Sequence, residues 1–88
     1  MTVYFEKYLM SKKDKIREQL LQNPTNLSLS KILSFLESEG YRVEQPTSGS
    51  HHKIRHLASD RYETIAIHHN DCKPIYKILL KKLYLKNI

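Results

Sequence analysis

Leu29, Ile32, Leu33 and Leu36 recur at i, i+3, i+4 and i+7, which predicts a helix with one apolar stripe. Ser28 is placed to cap its start, and Gly40 to end it in the left-handed conformation. A helix this short is not stable alone and must lay that stripe on something. Beyond Gly40 the pattern changes to a period of two. Tyr41–Glu44 reads as a short strand broken at Gln45-Pro46, the stretch from Ser50 or His51 to Leu57 as a second strand and Tyr62–His68 as a third. Thr47–Ser50 and Ala58–Arg61 are turns, and His69–Cys72 is a loop.

Pro74 suits the first turn of a last helix with Ile75, Ile78, Leu79 and Leu83 as its apolar stripe. Lys73, Lys77 and Lys81 recur every four residues and form a basic ridge on it. Val3–Gln22 lacks glycine and proline and reads as one amphipathic helix or two short ones, ending before Pro24. The expected class is α+β: a three-stranded antiparallel sheet with helices on one face, plus an extra N-terminal helix. Residues 1–24 are the helical extension and 25–88 the main domain.

Within the second strand, alternation puts His51, Lys53 and Arg55 on one face and His52, Ile54 and His56 on the other. Ile54 is the apolar anchor, so its face turns inward. Shifting the register by one residue would exchange His51 and His52. In the third strand Ile65 and Ile67 point inward, and Thr64, Ala66 and His68 join His51 on the open face.

The 88 residues suffice for one small domain. Fifteen Lys/Arg against nine Asp/Glu leave a net charge of +6, which favours a polyanionic partner, nucleic acid or an acidic protein. A single cysteine, Cys72, excludes a disulfide framework. No apolar run is long enough to span a membrane and no signal peptide is visible, so a cytoplasmic protein is expected. The pairs His51-His52 and His68-His69 point to opposite faces and no metal-binding spacing occurs, so neither metal nor cofactor is expected.

Four motifs in order, Glu39-Gly40-Tyr41, Gly49-Ser50-His51-His52, Thr64-Ile65-Ala66-Ile67-His68 and Lys73-Pro74, resemble the HicA (YcfA-like) toxin family over Leu27–Leu85. The resemblance implies a fold like that of double-stranded-RNA-binding domains. It also implies a toxin of a toxin–antitoxin system that cleaves mRNA and is held inactive by a HicB-like antitoxin. The family's catalytic histidine falls on His51, and its third-strand histidine on His68. Ala66 stands where many members have proline, and the N-terminal helix is absent from the shortest members.

The residue types also carry a chemical reading of their own. RNA cleavage without a metal needs groups that move protons near neutral pH, which histidine does. Lys53 and Arg55 are placed to bind phosphate, and Ser50 and the Gly49 turn to hold a phosphate oxygen. Lys73, Lys77 and Lys81 are candidate backbone contacts or a solvated helix face. A non-catalytic RNA-binding domain and a basic protein-interaction module remain as alternatives.

Overall fold

The computed structural model describes residues 11–46 and 48–88. Helix α1 spans Lys12–Gln22, a short 3-10 turn Pro24–Asn26, and helix α2 Leu29–Ser38. Strands β1 (Tyr41–Glu44), β2 (His51–His56) and β3 (Tyr62–Ala66) come next, then helix α3 (Pro74–Leu85). The strands form one antiparallel sheet in the order β1-β2-β3. The fold is α+β, as the hydrophobic periodicities predict. Among the described residues no helix is long and apolar enough to cross a membrane.

The start of α1 is set by its cap. Ser11 has an extended backbone, its hydroxyl accepts from the Asp14 amide, and the Asp14 carboxylate accepts from the Ser11 amide. This reciprocal capping box starts a helix at Lys12, so no continuous helix runs through Ser11. Residues 3–10 of the expected helical stretch lie outside the described residues. Helix α2 is capped by Ser28, whose hydroxyl accepts from the Lys31 amide. Just past it, Gly40 sits at φ +90°, where a side chain is strained, and its carbonyl accepts from the Leu57 amide.

Leu20, Ile32, Leu36, Ile54, Ile65 and Leu80 are fully buried in a single core joining all three helices to one face of the sheet. Ile54 and Ile65 hold the inward positions their alternation predicts. Ile67 is half-buried beyond the end of β3.

The core face of α3 differs from the expected stripe. Leu80, Leu83, Tyr84 and Lys77 are buried, whereas Ile75 is 53% exposed. Lys77 lies inward because its four-methylene stem covers apolar surface while its ammonium reaches the Asp71 carboxylate at 3.6 Å. The predicted solvated ridge is therefore not continuous. Lys73 is exposed at the helix start, Lys77 is buried and Lys81 is half-buried.

A polar node closes the helical layer. Glu39 accepts from Lys13 at 2.9 Å and from Arg17 at 3.3 Å. Arg17 also donates to the Tyr84 hydroxyl, which donates in turn to Glu39. The guanidinium lies over the Phe35 ring, and Phe35 meets Tyr84 edge to face at 5.3 Å. The Lys13 ammonium, with Arg17 beside it, holds the Glu39 carboxyl below its ordinary value despite partial burial.

Two outcomes are expected. Ile54→Ala should lower stability by about 3 kcal/mol, read as a fall in the urea midpoint, because it opens a cavity in the centre of the sheet. A depressed carboxyl stabilises the fold above its unfolded value of 4.5 and loses that contribution as pH falls through the folded value. Glu39→Gln should therefore be less stable than the parent at neutral pH, and the gap should close on acidification below 4.5 in urea titrations.

Candidate functional site

The register settles which histidine faces outward. His51 pairs with Ala66, Lys53 with Thr64 and Arg55 with Tyr62, and directly opposed residues share a face. On the other side Glu44 opposes Lys53 and Arg42 opposes Arg55. These residues line the sheet face away from the helices. His52 lies on the inner side with Ile54, its Nδ1–H donating to the Ser50 carbonyl at 3.0 Å. His56 closes the strand, its Nδ1 contacting Ser59 and its ring 4.7 Å from that of Tyr41.

Gly49 takes φ +75°, so the chain turns into β2 through a conformation that glycine adopts without strain. Ser50 then becomes a joint. Its carbonyl accepts both from His52 and from the Ile67 amide, which uses both of its lone pairs. Its hydroxyl lies 3.3 Å from His68 Nε2. His68 is outside β3 but bridges to Asp71 through two backbone hydrogen bonds. Between them His69 and Asn70 both have positive φ, +53° and +63°, as a tight two-residue hairpin turn requires. The reading of His69–Cys72 as a loop thus sharpens into a defined turn that holds His68 against Ser50.

A groove of about 340 Å³ on the open face is lined by Glu44, Gln45, Pro46, His51, Lys53 and Thr64. His51 is exposed there, and its imidazole makes no hydrogen bond among the described residues. The Lys53 ammonium lies 4.4 Å from the centre of the Tyr62 ring, itself 53% exposed. Cation–π attraction holds the ammonium over that ring.

Arg55 shares this face but is already engaged. It forks onto both Glu44 carboxylate oxygens at 2.7 and 2.9 Å and onto Asp60 at 2.9 Å. These two carboxylates raise its pKa, Glu44 contributing more. Its Nε is buried without a partner among the described residues. A phosphate approaching Arg55 must compete with Glu44 and Asp60, whereas Lys53 has no acidic partner among the described residues. Lys77 and Lys81 lie on α3 and Lys73 caps its start, and the ammonium of Lys77 is directed to Asp71.

Sequence reasoning missed Tyr62, Glu44 and Asp60. The signal for the first two was present, since pairing β2 with its neighbours puts them opposite Arg55 and Lys53. It needed the register, which alternation within one strand does not supply. Cys72 is half-buried, and burial pushes its thiol pKa up, away from a reactive thiolate. Among the described residues no three of His, Cys, Asp or Glu converge as metal ligands.

Gly49→Ala should cost about 1 kcal/mol in urea unfolding with an unchanged slope, because alanine is strained at this φ although space for its methyl is open. Compared with models of protein families, with curated proteins and with solved structures, the chain matches none of them.

Proposed function

We propose that this chain is a HicA-like toxin: a metal-independent endoribonuclease that cleaves mRNA in the cytoplasm and is neutralised by a HicB-like antitoxin. The observation that carries the reading is an exposed histidine, His51, in a groove with Lys53, immediately after the Gly49-Ser50 turn. By the motif resemblance, the family's catalytic residue falls at the same position.

The reaction runs through the substrate's own 2′-hydroxyl. His51 takes its proton, the 2′-oxygen attacks phosphorus, and the bond to the 5′-oxygen breaks. The leaving oxygen takes a proton from a second acid, for which His68 beside Ser50 is the candidate. The products are a 2′,3′-cyclic phosphate and a 5′-hydroxyl. Lys53 offsets charge on the phosphoryl oxygens, and Tyr62 beneath it stacks a neighbouring base. Arg55 acts first on Lys53's side of the groove by holding Glu44 and contacts phosphate only when displaced from it.

The Lys53–Tyr62 platform also suits a second reading, an RNA-binding domain without catalysis. The two separate on one measurement. Purified chain in chelator should cleave RNA to cyclic-phosphate ends, and His51→Ala should lower the rate by at least about 100-fold while the fold is retained. In cells, expression of the parent should arrest growth and that of His51→Ala should not. Equal toxicity, or no cleavage by a folded parent that still binds RNA with a steep salt dependence, removes the catalytic assignment and leaves the binding domain.

A further inference from the structure

The backbone of β3 has one paired edge and one open edge. The His56 amide donates to the Arg61 carbonyl, and the Ile67 amide donates to the Ser50 carbonyl. Bonded pairs alternate in an antiparallel ladder, so Arg61, Glu63, Ile65 and Ile67 direct their amides and carbonyls at β2. Tyr62, Thr64 and Ala66 then direct theirs outward, and among the described residues no strand pairs with them. No proline interrupts 61–67, so this is an edge that another extended chain can join. The edge of β1 is shorter. The Leu57 amide donates to the Gly40 carbonyl, so within that strand only Tyr41 and Val43 turn outward, and Pro46 follows.

Beside the open edge runs a groove of about 350 Å³ between β3 and α3. Arg61 and Glu63 line it from the strand, and Leu79, Lys82, Leu83 and Lys86 from the helix. Arg61 is fixed across its end by donating to the Lys86 carbonyl at 2.6 Å. Lys82 and Lys86 are exposed and form no ion pair among the described residues. Asp60, at the same end, is taken up by Arg55. Arg61, Lys82 and Lys86 therefore outnumber the Glu63 carboxylate there. Ile75 lies one turn before Leu79 on the same side of the helix and is 53% exposed. The last turns of α3 stand beside the start of β3, so Ile75, at the start of the helix, lies toward Ala66. The trough along the edge is cationic at one end and apolar at the other.

We propose that the outer edge of β3 takes an extended acidic segment of a partner protein as a fourth, antiparallel strand of the sheet. An extended polypeptide supplies both the donors and the acceptors that Tyr62, Thr64 and Ala66 require, at the same spacing. RNA offers phosphates to the cations but no row of alternating donors and acceptors at strand spacing. A second copy paired symmetrically about Thr64 would set Ile67 opposite Arg61 and Ile65 opposite Glu63, and so bring no carboxylate to Lys82 and Lys86. A strand whose groove-facing residues are apolar beside Ile75 and Leu79 and acidic beside Arg61, Lys82 and Lys86 matches both ends of the trough. Binding at this edge does not require RNA cleavage at His51.

The probe is the peptide TVTVTETET, amidated and carrying fluorescein at its N-terminus. As an antiparallel strand it turns its threonines to the open face and its valines and glutamates to the groove. Anisotropy titration of the full chain should show saturable binding, at least about tenfold tighter than for TVTVTKTKT. N-methylation of the central threonine, whose amide faces β3, should abolish binding. N-methylation of the valine before it, whose amide faces away, should leave binding intact. Ala66→Pro removes an outward amide at an edge position and should weaken binding about tenfold or more, with circular dichroism confirming the fold. Lys82→Glu with Lys86→Glu should turn the preference to the lysine peptide. No saturable binding of the glutamate peptide overturns the proposal, as does binding that tolerates both N-methylations or keeps its preference after the charge reversal. A dimer of the parent chain in sedimentation, lost in Ala66→Pro, gives the edge to a second copy and also overturns it. None of these readouts involves RNA cleavage, so this proposal and the nuclease stand or fall separately.

Discussion

The burial of Ile54 is the constraint on which the other features depend. It lies in the middle strand, fully enclosed, on the face that meets all three helices. Side chains on a strand alternate, so its position decides the side of every other residue of β2. Sliding β2 by one residue would put Lys53 and Arg55 into an apolar core, at a cost far beyond what this small domain can absorb. His51 is exposed because Ile54 is not. The outward cationic face and the inward His52 are two consequences of one hydrophobic contact.

The helical layer is held from the other side by charge. Glu39 gathers Lys13 and Arg17 from α1 and the Tyr84 hydroxyl from α3 at the end of α2. Three helices therefore meet at one carboxylate, and Arg17 covers the Phe35 ring where the core reaches the surface. Leu20 of α1 is fully buried in the same core as Leu80 of α3, so α1 is integral to the packing. Part of the chain's excess positive charge is thereby committed to structure. Arg17, Lys77 and Arg55 each have carboxylate partners, and among the described residues the cation left facing the His51 groove is Lys53.

The end of the sheet is where backbone and side chains do most to shape a site. The Gly49 turn, the doubly accepting Ser50 carbonyl and the His69-Asn70 turn lock together the start of β2 and the segment after β3. Two grooves flank this junction on opposite sides and share Gln45. Such preorganisation suits a site whose groups act on a ligand held in one position.

Much of the architecture was legible in local pattern. The α2 stripe, the Ser28 cap, Gly40, the three strands and the Pro74 helix start arise from periodicity and turn chemistry, both of which act over a few residues. The His51/Lys53/Arg55 face was legible too, because Ile54 is the one apolar residue inside that strand, Leu57 falling at its end. The features that stayed hidden depend on contacts distant in sequence or on competing local patterns. The capping box at Ser11 was written in a polar run that competes with a continuous helical pattern. The inward turn of Lys77 needed Asp71 in reach of its ammonium, and the engagement of Arg55 needed Glu44 and Asp60 brought beside it from two different segments. The sequence by itself determined the kinds of element and the face of each strand, because those are set by alternation and helical period. Only the tertiary structure decided which cations are free to meet a ligand, because an ion pair exists only once folding has brought both partners together.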